Sequence, residues 1–295
     1  MDSPKAETGF LDKVSLYALF NFLPLPRNSE PYPPISLSAP PTEIESQATN
    51  SAPKDGEQLI ENGINTQDLI VKSNVFEDPT IRMGFVRKVF GILLVQLLFT
   101  LAVIAIFAYH QPTKDFIQEN FLLVLVAMIV NVIVLTTIVC VENVRRRHPV
   151  NLICLALYTF TMSLLLGTAA SLMDSNVVIS AVGITTVLVI ALCIYAVQTK
   201  YDYTAAGGVI LTFVMILLVL SVCGFWMPDF VDSLPITCLC TFIGCFFLIV
   251  DMQSIVGGNR SEQLDPEEYV FAALTLYVDV VRIFIYILRI LEKFY

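Results

Sequence analysis

The chain has 295 residues, of which 56% are hydrophobic and only 15% charged, a balance outside the range of soluble domains of this length. Its formal net charge of −9 is unevenly spread, because residues 1–80 hold twelve Asp and Glu against five Lys and Arg. The composition makes lipid the solvent for most of the chain, and the acidity of the first 80 residues argues against nucleic acid or an anionic membrane surface as their partner.

Residues 1–80 are rich in Pro, Ser, Glu and Asn, with Pro24, Pro26, Pro31, Pro33, Pro34, Pro40 and Pro41 crowded together. Such a stretch cannot bury enough apolar area to fold alone, so it reads as a disordered cytosolic tail. One part differs: Phe10, Leu11, Val14, Leu16, Tyr17, Leu19, Phe20, Phe22 and Leu23 form an apolar patch suited to a membrane surface or a docking partner. A transient helix without function is the alternative. The start of the chain lacks a basic region followed by an apolar run and a small-residue cleavage site, so the first membrane helix is expected to target it.

Residues 81–295 read as one all-α membrane domain. Apolar stretches fall at roughly 89–109, 121–141, 150–173, 177–197, 207–227, 235–256 and 269–291. Each has about the twenty residues that a helix needs to cross some 30 Å of hydrocarbon. The loops between them are short, which predicts a single seven-helix bundle. Arg82, Arg87 and Lys88 precede the first helix, Arg145, Arg146 and Arg147 follow the second, Lys200 follows the fourth and Arg260 the sixth, whereas the opposite loops carry only Lys114. The positive-inside rule then puts the tail in the cytosol and the end of the seventh helix on the far side, against which Arg289 and Lys293 count. The one glycosylation sequon, Asn259-Arg260-Ser261, falls on the cytosolic side of this topology and is expected to stay unmodified.

The seven cysteines lie in or beside apolar runs, where a thiol packs as a small hydrophobe, and Cys238, Cys240 and Cys245 fit no zinc spacing. No cofactor is expected. His110 and His148 sit at segment edges and read as solvated loop residues.

A charge inside the bilayer costs roughly 2.5 to 3.5 kcal/mol on insertion scales, so a carboxylate there needs an explanation. Two stand out: Asp251 ends the run Phe246-Phe247-Leu248-Ile249-Val250, and Asp279 sits within Leu276-Tyr277-Val278-Asp279-Val280-Val281. Glu268, Ala272, Thr275, Asp279, Arg282, Tyr286, Arg289 and Lys293 recur at spacings of three and four, which predicts one polar face pointing into the bundle. Thr237, Thr241, Gly244 and Asp251 form a line of smaller groups on the sixth helix that would let the two helices approach. If the carboxyls meet, low dielectric keeps both from ionising and they share one proton. Protonated, they hold the helices together; ionised, they repel and can attract a divalent cation. In the alternative reading each Asp bonds a neighbouring hydroxyl or pairs with Arg282.

Five separated segments carry a resemblance that covers roughly residues 76–291. They are Phe85-Val86-Arg87-Lys88-Val89-Phe90, Arg147-His148-Pro149-Val150-Asn151-Leu152, Ala181-Val182-Gly183-Ile184-Thr185-Thr186, Gln198-Thr199-Lys200-Tyr201-Asp202-Tyr203-Thr204, and Pro266-Glu267-Glu268-Tyr269-Val270-Phe271-Ala272-Ala273-Leu274. In these the chain resembles the transmembrane Bax inhibitor motif proteins, in their lifeguard and glutamate-receptor-associated branch. The resemblance implies a bundle with helix seven surrounded by the other six, a pH-sensitive calcium leak in the endoplasmic reticulum, Golgi or related membranes, and suppression of cell death. It lays the family's paired aspartates on Asp251 and Asp279, as gate and as transient calcium ligands, and its basic partner within Arg145, Arg146 and Arg147, with Arg147 fitting the downstream segment best. Two features depart from the pattern. Arg282 stands where this branch is expected to be uncharged, and the tail lacks the Pro-Gly-Tyr repeats of some relatives.

Four functional classes follow. A calcium leak pathway uses the aspartate pair, with Glu268, Asp202 and Arg282 as modulators and Glu142 near the same mouth. An adaptor would act through contacts with cell-death regulatory proteins. An intramembrane aspartyl protease needs Gly-x-Gly-Asp, and here Tyr277 and Val278 precede Asp279, so no enzyme is expected. A G-protein-coupled receptor is disfavoured by short loops and by the absence of Asp-Arg-Tyr and Asn-Pro-x-x-Tyr at the required places.

Overall fold

The computed structural model describes residues 79–141, 144, 147–257, 264 and 266–295. The tail of residues 1–78, Glu142, Arg145, Arg146 and the sequon lie outside the described residues, as does every expectation resting on them. Among the described residues all regular structure is helical: α1 (Pro79–Tyr109), α2 (Gln111–Glu119), α3 (Phe121–Cys140), α4 (Val150–Ser171), α5 (Ser175–Gln198), α6 (Gly207–Trp226), α7 (Pro228–Val231), α8 (Leu234–Val256), a 3-10 turn (Pro266–Glu268) and α9 (Tyr269–Glu292). Seven of these, α1, α3, α4, α5, α6, α8 and α9, are long and apolar enough to cross a membrane. The chain is a multi-pass membrane protein.

Hydropathy placed six of the seven spans within two or three residues of their helices, because lipid leaves a backbone no stable alternative to the closed hydrogen bonding of a helix. The exception is α1, which starts about ten residues before its apolar stretch. Pro79 suits the first helical position, where its missing N–H has no partner to lose, and the turns that carry Arg82, Arg87 and Lys88 precede the apolar stretch. The loop 111–120 also differs from expectation, since it folds as the short helix α2.

Exposure follows the solvent. Leu94, Val95 and Leu98 on α1, Val187, Ile190 and Ile194 on α5, and Leu211, Leu218 and Val222 on α6 all face outward, as a lipid-solvated surface requires. Tyr109, Trp226 and Tyr201 lie exposed at helix ends, where their amphipathic rings suit the membrane interface. The last helix is different: every residue from Val270 to Leu288 is buried. It packs along α8, α1 and α5 and touches α4, while α3 lies against α4 and α6 against α8. The expected single polar stripe on α9 is therefore not its only buried face, and a helix that buries its whole circumference belongs to an interior. Where α1 meets α4 the approach is close, since a Cβ on Gly167 would stand 2.8 Å from the Phe107 ring.

The two ends of the bundle are tied differently. At one end Arg82 binds three carbonyls, Ser254 O at 2.7 Å from Nη2, Leu264 O at 2.9 Å from Nη1 and Val256 O at 3.2 Å from Nε. It thereby caps the carboxyl end of α8 with a cation, which also favours the helix dipole. Gly257 ends α8 at φ 67°, and a Cβ there would collide with the Arg82 guanidinium, so only glycine fits. At the other end Asp232 accepts a hydrogen bond from Arg289 at 3.4 Å and forms an ion pair with Lys293 at 3.7 Å. Those two cations, which by charge alone count against placing the end of the last span on the far side, thus pair with an acid just before α8.

Arg82→Ala is expected to lower stability by roughly 2–3 kcal/mol, because it strands carbonyls bound by a charged donor. Arg82→Lys should recover only part of that, since an ammonium cannot span the three acceptors as a planar fork does. Chemical unfolding in detergent micelles measures both.

Candidate functional site

The interior of α9 supplies the charges of the site. Asp279 is 3% exposed and Arg282 is 4% exposed, both near the middle of the helix. Arg282 Nη1 stands 3.9 Å from Asp279 Oδ1, an ion pair one turn apart that is too long for a hydrogen bond. The Arg282 guanidinium carbon lies 6.0 Å from the Phe247 ring centroid, within cation–π range.

α8 runs antiparallel to α9. A Cβ built on Gly244 would lie 3.4 Å from Ile283 Cγ1 and 3.9 Å from Arg282 Cδ, which sets the register of the pair. Counting from that contact, Asp251 is level with about residue 275, and its Cα is about 5 Å along the axis from that of Asp279. Asp251 lies seven residues, or two turns, from Gly244, so it shares the face that looks at α9. Each Cα–Cβ bond leans toward the start of its own helix, and in an antiparallel pair this tilts Asp251 and Asp279 toward each other. Asp251 is half-buried.

Of the small residues of α8, Thr237 is fully buried and Gly244 meets α9. Thr237 and Thr241 turn their hydroxyls to their own helix, onto Ser233 O and Thr237 O. Thr275 on α9 does the same with Ala272 O at 3.0 Å.

Around the charges the bundle is lined with polar groups that sequence reasoning did not single out. Gln96 on α1 donates to Thr159 on α4 at 2.7 Å, and Thr100, one turn on, shares a 2.9 Å bond with the Tyr277 hydroxyl. The Tyr277 ring meets that of Tyr158 edge-on, with centroids 6.1 Å apart. Asn131 on α3 donates to Thr161 at 2.9 Å. These buried residues join α1, α3, α4 and α9 by hydrogen bonds.

The remaining predicted residues lie toward the Arg82 end. Glu268 is buried in the 3-10 turn that leads into α9, where a negative charge suits a helix start. Asp202 closes a turn in the loop between α5 and α6, its Oδ1 accepting both the amide and the hydroxyl of Thr204. That loop is fastened to α8 by Gln253, which donates to Tyr201 O at 3.0 Å and accepts from Tyr203 N at 2.9 Å. Arg147 is exposed in the turn before α4, and its carbonyl accepts Asn151 N at 3.1 Å. His110 and His148 are both exposed, and all seven cysteines are free thiols.

Two of these positions carried a signal in the sequence. A cation in the first turn of a helix opposes the dipole, so Arg82 needed a partner elsewhere. A glutamine in a membrane span likewise calls for partners, and Gln253 finds them in the neighbouring loop.

A profile of the family described as "Inhibitor of apoptosis-promoting Bax1" matches residues 82–295. The chain belongs to this family. Among its Bax-inhibitor relatives, the human protein named "Protein lifeguard 3" is 33% identical over 225 residues, covering 73% of this chain and 70% of its own. The mouse protein of the same name is 31% identical over 224 residues, 73% of this chain and 71% of its own. "Golgi anti-apoptotic protein" of Vaccinia virus (strain Lister) is 33% identical over 212 residues, 72% of this chain and 86% of its own. The Bax-inhibitor match begins at Arg82 and takes in α8 and α9 entire, so the whole site lies inside it.

Gln253→Ala is expected to free the loop that carries Asp202. Hydrogen exchange at the Tyr203 amide should speed up about tenfold, the loss of one buried hydrogen bond, with exchange in α4 unchanged.

Proposed function

We propose that this member of the Bax-inhibitor family is a pH-sensitive calcium leak pathway of intracellular membranes, and that it suppresses apoptosis. The observation that carries this reading is a buried carboxyl near the middle of α9, Asp279, with a second, Asp251, on the facing helix, which the Gly244 contact sets about one turn away along the axis. Two carboxyls so close in low dielectric do not both ionise, and they hold one proton between them. With the proton in place they bond and keep α8 against α9. Without it they repel, and their oxygens offer ligands to a hard divalent cation. The polar lining from Gln96, Thr100, Thr159 and Tyr277 supports a path along α9 that an ion can share with water. Arg147, in the turn before α4 at the Arg82 end, acts as a latch on the mouth, with Arg145 and Arg146 next to it in sequence.

The names of the relatives support the biological part. The family description and the viral protein both speak of opposing apoptosis, and the viral name speaks of the Golgi. The distribution of Lys and Arg supports a cytosolic Arg82 end with the acidic tail on that side. In this reading the chain is not an enzyme and needs no cofactor, and calcium is its cargo.

The second reading, an adaptor that acts on cell-death proteins by contact, is favoured by the same names, which mention apoptosis and not transport. Removal of residues 1–75 separates the two, because a leak pathway keeps its flux without the tail whereas a tail-based adaptor loses its effect.

Purified protein in liposomes should release calcium faster as pH rises, and Asp251→Asn or Asp279→Asn should flatten that dependence. A pH profile unchanged in both variants would refute the mechanism.

A further inference from the structure

The middle of α9 holds a second charge for which the aspartate gate has no use. Arg282 stands about 20 Å from the start of its helix and about 15 Å from its end, farther than a side chain can reach to water. Its guanidinium cannot be deprotonated, so the charge is permanent. The groups that face it are Asp279 one turn back on α9, Tyr158 on α4, and Cys240 and Phe247 on α8, with Tyr286 one turn on beside Cys240 and Asp251 farther toward the Arg82 end. Its stem passes Gly244, where no side chain competes for the space. Of its charged neighbours, the one at ion-pair distance along α9 is Asp279, at 3.9 Å.

We infer that Arg282 is a tethered counter-cation: it occupies the field of Asp279 that a mobile cation would otherwise use, and so sets the leak low and disfavours divalent ions most. The inference rests on the leak reading and adds a specificity-determining residue to it. The physical ground is that repulsion between fixed and passing charge scales with the charge of the ion, so calcium meets twice the barrier that potassium does. The same guanidinium leaves the carboxylate with part of its charge already matched, which weakens any calcium site built on Asp279.

The test uses the full chain as wild type, Arg282→Gln, Arg282→Lys and the double variant Arg282→Gln/Asp279→Asn, with Arg282→Asn in reserve should the glutamine variant misfold. In liposomes, Arg282→Gln should raise calcium flux about tenfold and potassium flux less, Arg282→Lys should stay near wild type, and the double variant should fall back. Independently of flux, calcium should raise the melting temperature of Arg282→Gln in detergent and leave the wild type and the double variant unmoved. Equal flux and equal calcium response in wild type and Arg282→Gln would overturn the inference, while a pH-dependent leak that still needs Asp279 would leave the gate standing. If no variant leaks at all, the leak reading fails, and the calcium-dependent melting shift alone decides whether Arg282 shields Asp279.

Discussion

A bundle solvated by lipid cannot expose a charge at mid-depth, and α9 carries two, Asp279 and Arg282, within one turn. Removing one partner from such a buried pair costs roughly 3–5 kcal/mol, so the pair constrains everything around it. The rest of the architecture follows from keeping that turn away from hydrocarbon. All residues of α9 from Val270 to Leu288 are buried, α1, α5 and α8 pack along them, and α4 contributes the Tyr158 ring and the Thr159 hydroxyl. The outer helices can then be apolar on their exposed faces, since the polar burden is carried inside.

The ends of the bundle are closed by different chemistry, and that difference sets what can move. At the Arg82 end, one guanidinium on α1 holds the carboxyl terminus of α8 and the segment that leads to α9, within one turn of Asp251. Gln253 holds the α5–α6 loop to the same turn of α8. At the far end Arg289 and Lys293 share Asp232 in part-exposed pairs, which are weak by comparison. In the proposed gate, a change in the charge of Asp251 would act next to the tightly fastened end, with the far end as the looser anchor.

The spans were legible in the sequence because hydrocarbon thickness fixes their length and because charges are scarce within them. The two aspartates were legible for the same reason, as costly residues in apolar runs. The register between α8 and α9 was not, since it depends on how Gly244 meets Ile283 and Arg282. The complete burial of α9 was also hidden: its charged residues recur at helical spacing and mimic a helix with one polar face. Arg82 was visible only as one of several basic residues before the first span, and its role as a clamp depends on the last turn of α8 and the segment after it, more than 170 residues away. Gln96, Thr100 and Tyr277 show no pattern until three helices meet.

The central claim is that Asp251 and Asp279 hold one proton between them inside the bundle. Infrared difference spectroscopy on the purified protein across a pH series tests it most directly, because a protonated carboxyl has its own carbonyl stretch, apart from the carboxylate bands. The account predicts one such band, lost as pH rises and absent when either aspartate is replaced by asparagine. A band that persists in both variants, or carboxylate signals that titrate independently of one another, would contradict it.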